Sequence, residues 1–239
     1  MINVIRTDAV PASLNTSAIR EYRQTCQQYA LDQQRPLEEQ TLPKPDCGSA
    51  YRTEEVTDAL NGVFLGKCYL TEEEFGSTNK MEIDHFLPRH ERPDLKYEWT
   101  NLYAATRHAN GSRPRITPAG GYLDPCHPDD DVEREILYAL SILDDKAHFK
   151  ARDEGNIRAT NTAQLLVYLH KDIQKAIQNK HNGILRRMAE WGTAQKQNDW
   201  QRVFELELEL KELLSRKSSF TMLMRSSRII RRLPAEFFD

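Results

Sequence analysis

Apolar side chains recur every three or four residues near the start of the chain and again through much of its second half. The first run predicts an amphipathic helix over residues 15–33, with Asn15 or Thr16 as its N-cap. Its apolar face would carry Ile19, Tyr22, Cys26, Tyr29 and Ala30. Residues 35–49 contain three prolines and a glycine, which indicates a loop. Residues 53–64 are predicted to form a second, short helix.

The second half of the chain is predicted to be mainly helical. After Asn161, the expected N-cap of a long helix, apolar residues follow at intervals of three, four and seven. These residues are Leu166, Leu169, Ile173, Ile177, Ile184, Met188 and Trp191. Residues 199–215 fit both an alternating strand and a helix, but their strong helix formers and their i,i+4 ion pairs favour the helix.

Two apolar runs, residues 136–143 and 147–151, are too continuous to show a period and fit either a hairpin or a helix. Strands are the preferred interpretation, with Asp144 and Asp145 between them. Together the patterns predict an α+β protein in three parts. Residues 1–50 would form an N-terminal helix and a proline-containing linker, and residues 51–130 the unit that carries the chemistry. Residues 131–239 would form a mainly helical region that packs on this unit, on a partner or on both.

Composition narrows the class of protein. Of the 239 residues, 39% are hydrophobic and 29% are charged, which is typical of a folded protein with a packed core. The formal net charge of −3 argues against a protein that coats nucleic acid through its overall charge. The four cysteines form no Cys-x-x-Cys pair, and no run approaches the roughly 18 apolar residues of a membrane span. We therefore expect a cytoplasmic protein with no disulfide framework and no membrane association.

One segment carries residues suited to the hydrolysis of a phosphodiester. It contains, in order, Asp84 beside His85, then Asn101, then Asn110 with Arg113 three residues later. This reaction needs a nucleophile made from water and a cation that neutralises the charge developing on the phosphate. The Asp84 carboxylate suits a hard ion such as Mg²⁺. His85, with an unperturbed pKa near ~6.5, can accept a proton from water at neutral pH.

This order of residues resembles the HNH nuclease motif, in which two strands and a helix hold one divalent cation against the scissile phosphate. The resemblance implies a ββα-metal HNH core embedded in a mainly helical protein, and an endonuclease that uses Mg²⁺ or Mn²⁺. It implies that Asp84 and Asn110 bind the metal ion, that His85 is the general base, and that Asn101 holds the base in place by tying the excursion of residues 86–100. Basic residues that flank the motif are candidates for nucleic-acid binding. They are Lys67, Arg89, Arg107 and Arg113.

Many HNH proteins also bind a structural zinc ion through two Cys-x-x-Cys pairs. The matching positions here are Cys68 with Thr71 and Thr106 with Ala109, so only one of the four thiols is present. We therefore expect no structural zinc, and Cys68 is expected to be a core thiol. His108 is expected either to face solvent at the start of the motif's helix or to act as a substitute ligand.

Further stretches at residues 67–72, 98–102, 122–125 and 158–162 resemble the PtuB-like HNH endonucleases of retron and Septu antiphage systems. The resemblance implies a bacterial defence nuclease that works with a Septu-type ATPase, sometimes beside a retron reverse transcriptase and its RNA–DNA hybrid. DNA is the default substrate, because attack by water needs no 2′-hydroxyl, and RNA is the alternative. Two other functions stay open: an idle HNH fold that binds nucleic acid without cutting it, and an adaptor whose helical C-terminal half docks a partner.

The segment between Glu212 and Glu236 is basic in a chain of negative net charge. It contains no Asp or Glu but six cations: Arg216, Lys217, Arg225, Arg228, Arg231 and Arg232. Interleaved apolar residues predict an amphipathic helix or a pair of turns with one packed face and one basic face. The basic face would contact phosphates or an acidic partner surface, and a merely solvated face is the alternative.

Overall fold

The computed structural model of the chain describes residues 1–6, 9–45, 48–141 and 146–239. Its helices are α1 (Ser17–Asp32), α2 (Glu54–Val63), α3 (Arg107–Ser112), α4 (Val132–Glu135), α5 (Ile157–Leu169), α6 (Gln174–Gln197), α7 (Trp200–Leu214) and α8 (Thr221–Ser226). Its strands are β1 (Met81–His85), β2 (Leu102–Thr106), β3 (Ile136–Leu140) and β4 (Ala147–Ala151). None of the helices in these ranges combines the length and the apolar character that crossing a membrane requires.

The strands form two small antiparallel sheets within a mainly helical chain, so the α+β class is confirmed at that level. β1 pairs with β2, from Met81 opposite Thr106 to His85 opposite Leu102. β3 pairs with β4, and the two apolar runs therefore form the preferred hairpin. Residues 142–145, which include the end of the first run and the two aspartates, lie outside the described residues, as does Cys47.

Hydroxyl side chains start the first two helices where the sequence predicts. Thr16 Oγ1 accepts a hydrogen bond from the backbone N–H of Ile19 at 3.4 Å, and Thr53 Oγ1 accepts one from Val56 at 3.2 Å. Each side chain satisfies one of the N–H groups that the first turn of a helix leaves without a partner. The helices over residues 15–33 and 53–64 are confirmed, as is the helix over residues 199–215.

The single long helix predicted after Asn161 is wrong in two respects. The first helix begins earlier, after Asn156, whose side chain caps it. Asn161 lies inside that helix and donates hydrogen bonds to loop carbonyl oxygens. The helix ends at His170, whose Nδ1 donates to the Leu166 carbonyl at 2.7 Å, and α6 begins only at Gln174. The apolar spacing continues across the break, so the pattern alone does not reveal it.

One large cluster of buried apolar side chains extends from α1 through the β1–β2 hairpin and α5 to α8. Residues 131–239 therefore share their core with the central region. A second, small cluster joins α6 to α7 near their connection and contains Ala194, Val203 and Leu206. The shared core fixes the β1–β2 hairpin from several sides, which is what a site built on that hairpin requires.

Lys67 is a buried cation, 2% exposed, that precedes β1 in the chain and contacts the segment after α7. Its Nζ donates to the carbonyl oxygens of Arg216 at 2.6 Å and Ser218 at 2.8 Å, and to Thr221 Oγ1 at 3.2 Å. It also lies 3.8 Å from Glu72 Oε2. Burial lowers the pKa of this ammonium group. The prediction that Lys67 contacts a phosphate is therefore wrong, because its donors are used inside the fold.

Candidate active site

The β1–β2 hairpin and α3 position the predicted site residues. Asp84 and His85 are the last two residues of β1 and are both buried. β2 passes directly into α3, because Thr106 Oγ1 accepts a hydrogen bond from the Ala109 N–H at 3.2 Å and so caps the helix. Asn110 follows within α3, which packs against β1. Strand, strand and helix thus bring the first and the last parts of the motif together.

Asn101 closes the excursion that separates the two strands. Its Oδ1 accepts from the backbone N–H of Leu87 at 2.7 Å, while its Nδ2 donates to the carbonyl oxygens of Leu87 at 3.0 Å and Leu95 at 3.2 Å. Its own carbonyl accepts from the Phe86 N–H at 3.0 Å. Asn101 therefore ties both ends of the excursion to each other.

His85 has a fixed tautomer. Its Nε2 lies 2.9 Å from the carbonyl oxygen of Lys96, and because a carbonyl only accepts, Nε2 must carry the proton. Nδ1 is left as the basic nitrogen. The Tyr51 ring meets the imidazole edge to face with centroids 4.8 Å apart. Burial, together with the nearby charge of Arg89, lowers the pKa of His85 to about 4, so the ring is neutral at physiological pH.

Among the residues that the structure describes, Asp84 uses only one of its carboxylate oxygens. Oδ2 accepts from the Tyr69 hydroxyl at 2.7 Å and from Arg113 Nη1 at 2.7 Å. Arg113 also donates to the carbonyl oxygens of His85 at 3.1 Å and Phe86 at 2.6 Å, and so holds the end of β1. Oδ1 has no hydrogen-bond partner among the described residues, which leaves it available to a cation.

Asn110, like Asp84, has an oxygen that makes no hydrogen bond with the described residues. Its Nδ2 donates to Glu82 Oε2 at 2.7 Å, which assigns the amide orientation and leaves Oδ1 as an acceptor. No cluster of three His, Cys, Asp or Glu side chains that could hold a metal ion occurs in the described parts of the chain. Two oxygen donors with the remaining positions left to water and phosphate are nevertheless a donor set that Mg²⁺ accepts. The residues present therefore fit one hard divalent cation.

Asp84, His85 and Asn110 line one cavity of about 740 Å³. Residues from outside the motif also line this cavity, among them Tyr22 and Tyr51. Lysines and arginines dominate the lining: Lys44, Arg52, Arg89, Lys96, Arg113 and Arg115. Asp84 is the one carboxylate among the lining residues that the structure describes. A cavity with this charge favours a polyanionic ligand.

The predicted nucleic-acid-binding residues are only partly brought together. Arg89 and Arg113 line the cavity, although the guanidinium of Arg113 is largely occupied by Asp84 and backbone carbonyls. Arg107 is exposed at the start of α3 and is not part of the lining, and Lys67 is buried elsewhere. The sequence analysis missed Lys44, Arg52, Lys96 and Arg115. Arg115 stands two residues after Arg113, so the sequence could have indicated it. No local sequence signal places Lys44, Arg52 or Lys96 at the site.

The four positions at which many HNH proteins have zinc-binding cysteines serve core packing and helix capping in this chain. Cys68 is 1% exposed and belongs to the core, as expected, and Ala109 is fully buried. Thr71 Oγ1 donates to Glu73 Oε2 at 2.8 Å. His108 is half-buried at the start of α3, and its Nε2 lies 3.1 Å from the Leu169 carbonyl, which joins α3 to α5.

Comparisons of the chain with protein-family models, curated proteins and solved structures give no match. Function is therefore inferred from the residues of this chain and their arrangement.

Proposed function

We propose that the chain is a metal-dependent endonuclease of the HNH type that hydrolyses phosphodiester bonds, with DNA as the default substrate and RNA as the alternative. The observation that carries the proposal is the convergence of Asp84, His85 and Asn110 on one cavity lined by cations. Each group has an unused atom suited to its role: a carboxylate oxygen, a basic ring nitrogen and an amide oxygen. Their arrangement on strand, strand and helix supports a ββα-metal core.

In this proposal Asp84 Oδ1 and Asn110 Oδ1 hold one Mg²⁺ or Mn²⁺ ion. The ion, when bound, neutralises charge on the scissile phosphate and on the leaving oxygen. His85 Nδ1 takes a proton from the attacking water, while the Lys96 carbonyl keeps Nε2–H pointing away from the reaction. Asn101 acts on His85 indirectly, because it holds the excursion of residues 86–100, which carries the Lys96 carbonyl.

The resemblance to PtuB-like proteins supports a biological context for this activity. We propose that the nuclease is the effector of a bacterial antiphage complex with a Septu-type ATPase and, in some cases, a retron reverse transcriptase and its RNA–DNA hybrid. The shared core of residues 131–239 supports a helical region attached to the nuclease, and its exposed face would dock the ATPase.

One observation favours the second candidate, an idle HNH fold that binds nucleic acid or a partner without cutting. Arg113 already neutralises Asp84 by an ion pair at 2.7 Å, and a cation has less to gain from a carboxylate whose charge is compensated. In the nuclease, Asp84 must serve Arg113 through one oxygen and the metal ion through the other.

The experiment is a cleavage assay with the purified chain, alone and with the proteins encoded beside it. Labelled supercoiled DNA, linear duplex, single strand and structured RNA are incubated with Mg²⁺, with Mn²⁺ or with EDTA. Cleavage that needs a metal ion and stops in EDTA is the expected result. If no substrate is cleaved under any of these conditions, the idle HNH fold is the candidate function that remains.

Metal binding is tested separately by calorimetry. The parent chain should bind Mn²⁺, and Asp84→Ala should lose that binding because it removes the anionic ligand. A matched control is Asp58→Ala, which removes a carboxylate from α2 that does not line the cavity. Unchanged Mn²⁺ affinity in Asp84→Ala would remove Asp84 from the metal site.

A further inference from the structure

The six lysines and arginines of the cavity are not equally free to bind a ligand. Arg113 is held by Asp84 and by two backbone carbonyls. Lys96 is 4% exposed, with its ammonium 5.5 Å from the centroid of the Tyr22 ring. Lys44 donates to the carbonyl of His90 at 2.6 Å.

Arg89 also has a partner, since its Nη1 donates to the Tyr51 hydroxyl at 3.4 Å. These four cations therefore shape the cavity and its potential, and each already interacts with other groups of the chain.

Arg52 and Arg115 differ from the other four. Both are exposed, and neither guanidinium makes a hydrogen bond or an ion pair with the described residues. They line the cavity from different parts of the chain, because Arg52 lies just before α2 and Arg115 just after α3. Asp84, His85 and Asn110 line the same space.

We propose that Arg52 and Arg115, which line the cavity from two different segments of the chain, form a clamp that binds two backbone phosphates of the nucleic acid. The proposal rests on the proposed function, since it names how that site holds its substrate. A guanidinium offers a fixed fork of N–H donors that matches the oxygens of a phosphate, and a free, exposed guanidinium loses no internal bond when it binds one. The clamp makes Arg52, which lies outside the HNH-like motif, part of the substrate site.

Binding is measured by fluorescence anisotropy in the His85→Ala background with Mg²⁺, so that substrate is held without being cut. The probes are a fluorescein-labelled DNA single strand, its duplex and an RNA of the same sequence, each titrated over a range of salt concentrations. The variants are Arg52→Gln, Arg115→Gln and the double variant. Arg186→Gln is the matched control, because Arg186 is an exposed, unpaired arginine on α6 outside the cavity lining.

The double variant should reduce the slope of log K against log salt by about 1.4 to 1.8, because each lost phosphate contact removes about 0.7 on single strands and about 0.9 on duplex. At 0.1 M salt this corresponds to a loss of roughly 25- to 60-fold in affinity. Each single variant should reduce the slope by about 0.7 to 0.9, half of the reduction in the double variant, and Arg186→Gln should match the parent. Replacement by Lys should restore the slope, since the charge is kept.

An unchanged slope and affinity in the double variant overturn the clamp, and so does a parent chain that binds none of the three probes. Neither result depends on cleavage. If the chain with His85 intact cuts nucleic acid while Arg52 and Arg115 are dispensable for binding, the clamp fails and the nuclease stands. If binding depends on both arginines and no cleavage occurs, the clamp stands and the nuclease fails. Thermal melting of each variant separates loss of contact from loss of fold.

Discussion

Arg113 and Asp84 form a buried ion pair, with Nη1 and Oδ2 at 2.7 Å and each residue 8% exposed. Arg113→Met should destabilise the protein by about 3–5 kcal/mol, because it leaves a buried carboxylate without its partner. Urea unfolding measures the loss. Millimolar Mg²⁺ should recover more stability in this variant than in the parent, since an ion at Asp84 would then supply the missing charge.

The control for that recovery is the double variant Arg113→Met with Asp84→Asn, in which no carboxylate remains to hold the ion. Its unfolding should not respond to Mg²⁺. An equal response in the single and double variants would show that the ion acts elsewhere.

His85→Ala should lower the cleavage rate by about 10² to 10⁴, the usual effect of removing a general base. His90 provides a matched control, because it lines the same cavity but is exposed and forms no part of the motif. His90→Ala should cut within a fewfold of the parent. Single-turnover rates with saturating enzyme measure the chemical step. Parental rates in His85→Ala would rule this residue out as the base.

Arg6 is predicted to support the site from outside the cavity. Its guanidinium donates to the carbonyls of Trp99 at 2.7 Å and Leu102 at 2.9 Å, on either side of Asn101, and lies 4.7 Å from the centroid of the Tyr103 ring. Arg6→Met keeps the stem but loses both charge-assisted bonds, so unfolding free energy should fall by roughly 2–4 kcal/mol.

The rate of cleavage should also fall in Arg6→Met, with kcat more affected than KM, because Asn101 would hold the excursion less firmly. Arg20→Met is the control, since that guanidinium binds the Asn15 carbonyl at an exposed site. A full stability loss with an unchanged kcat at a temperature where the variant is folded would reduce Arg6 to a structural role.

His170 should make stability depend on pH. It is 2% exposed, and burial lowers its pKa to about 4. The unfolded chain takes up a proton near pH ~6.5 while the folded chain does not, so the stabilisation is complete above that pH and is lost as pH falls toward 4. Urea unfolding at pH 7, 5.5 and 4.5 should show this decline.

A flatter pH dependence is expected for His170→Gln, which removes the titrating group although it also lowers stability at pH 7. His127→Gln, at an exposed histidine, should keep the parental pH dependence. Equal slopes in the parent and His170→Gln would assign the pH effect to other groups.

The arginines of the basic segment after α7 divide into two sets. Arg216 pairs with Glu133, and Arg225 pairs with Asp239, so both belong to the fold. Arg228, Arg231 and Arg232 are exposed and have no ion pair in the described parts of the chain. Changing these three to Gln should weaken nucleic-acid binding and flatten its salt slope, by about 0.7 to 0.9 for each phosphate contacted.

Arg225→Gln should instead lower stability and leave the salt slope unchanged. If the triple variant binds nucleic acid like the parent but no longer retains the proposed Septu-type ATPase in a pull-down, the segment is a protein-docking surface. If neither property changes, these arginines are a solvated face.

Local chemistry made parts of this fold predictable. Thr16 and Thr53 are hydroxyl residues directly before apolar helical runs, and both act as caps. The hydrogen bonds of Asn101 match the loop-tying position that the HNH resemblance implies. These features depend on residues close in sequence or on a motif with fixed intervals, so a single sequence contains the information.

Features that depend on distant contacts were not predictable. The break between α5 and α6 lies in a continuous apolar pattern and is marked by a hydrogen bond from His170 rather than by proline or glycine. In the sequence, Lys67 cannot be distinguished from the other cations near the motif. Only the folded structure shows that the segment containing Arg216 packs over it. Arg52 lies beside a segment that reads as a linker, and only tertiary structure brings it to the cavity of His85.

The hydrogen bonds of Lys67 link the completion of this part of the core to residues late in the chain. A growing chain that has delivered β1, β2 and α3 still has a lysine whose acceptors, the carbonyls of Arg216 and Ser218, are not yet made. Burying that ammonium without them would cost several kcal/mol, so this part of the core must stay hydrated until residues 216–221 leave the ribosome. Polypeptides stalled or cut before that point would therefore carry the complete HNH-like motif on an unfinished scaffold.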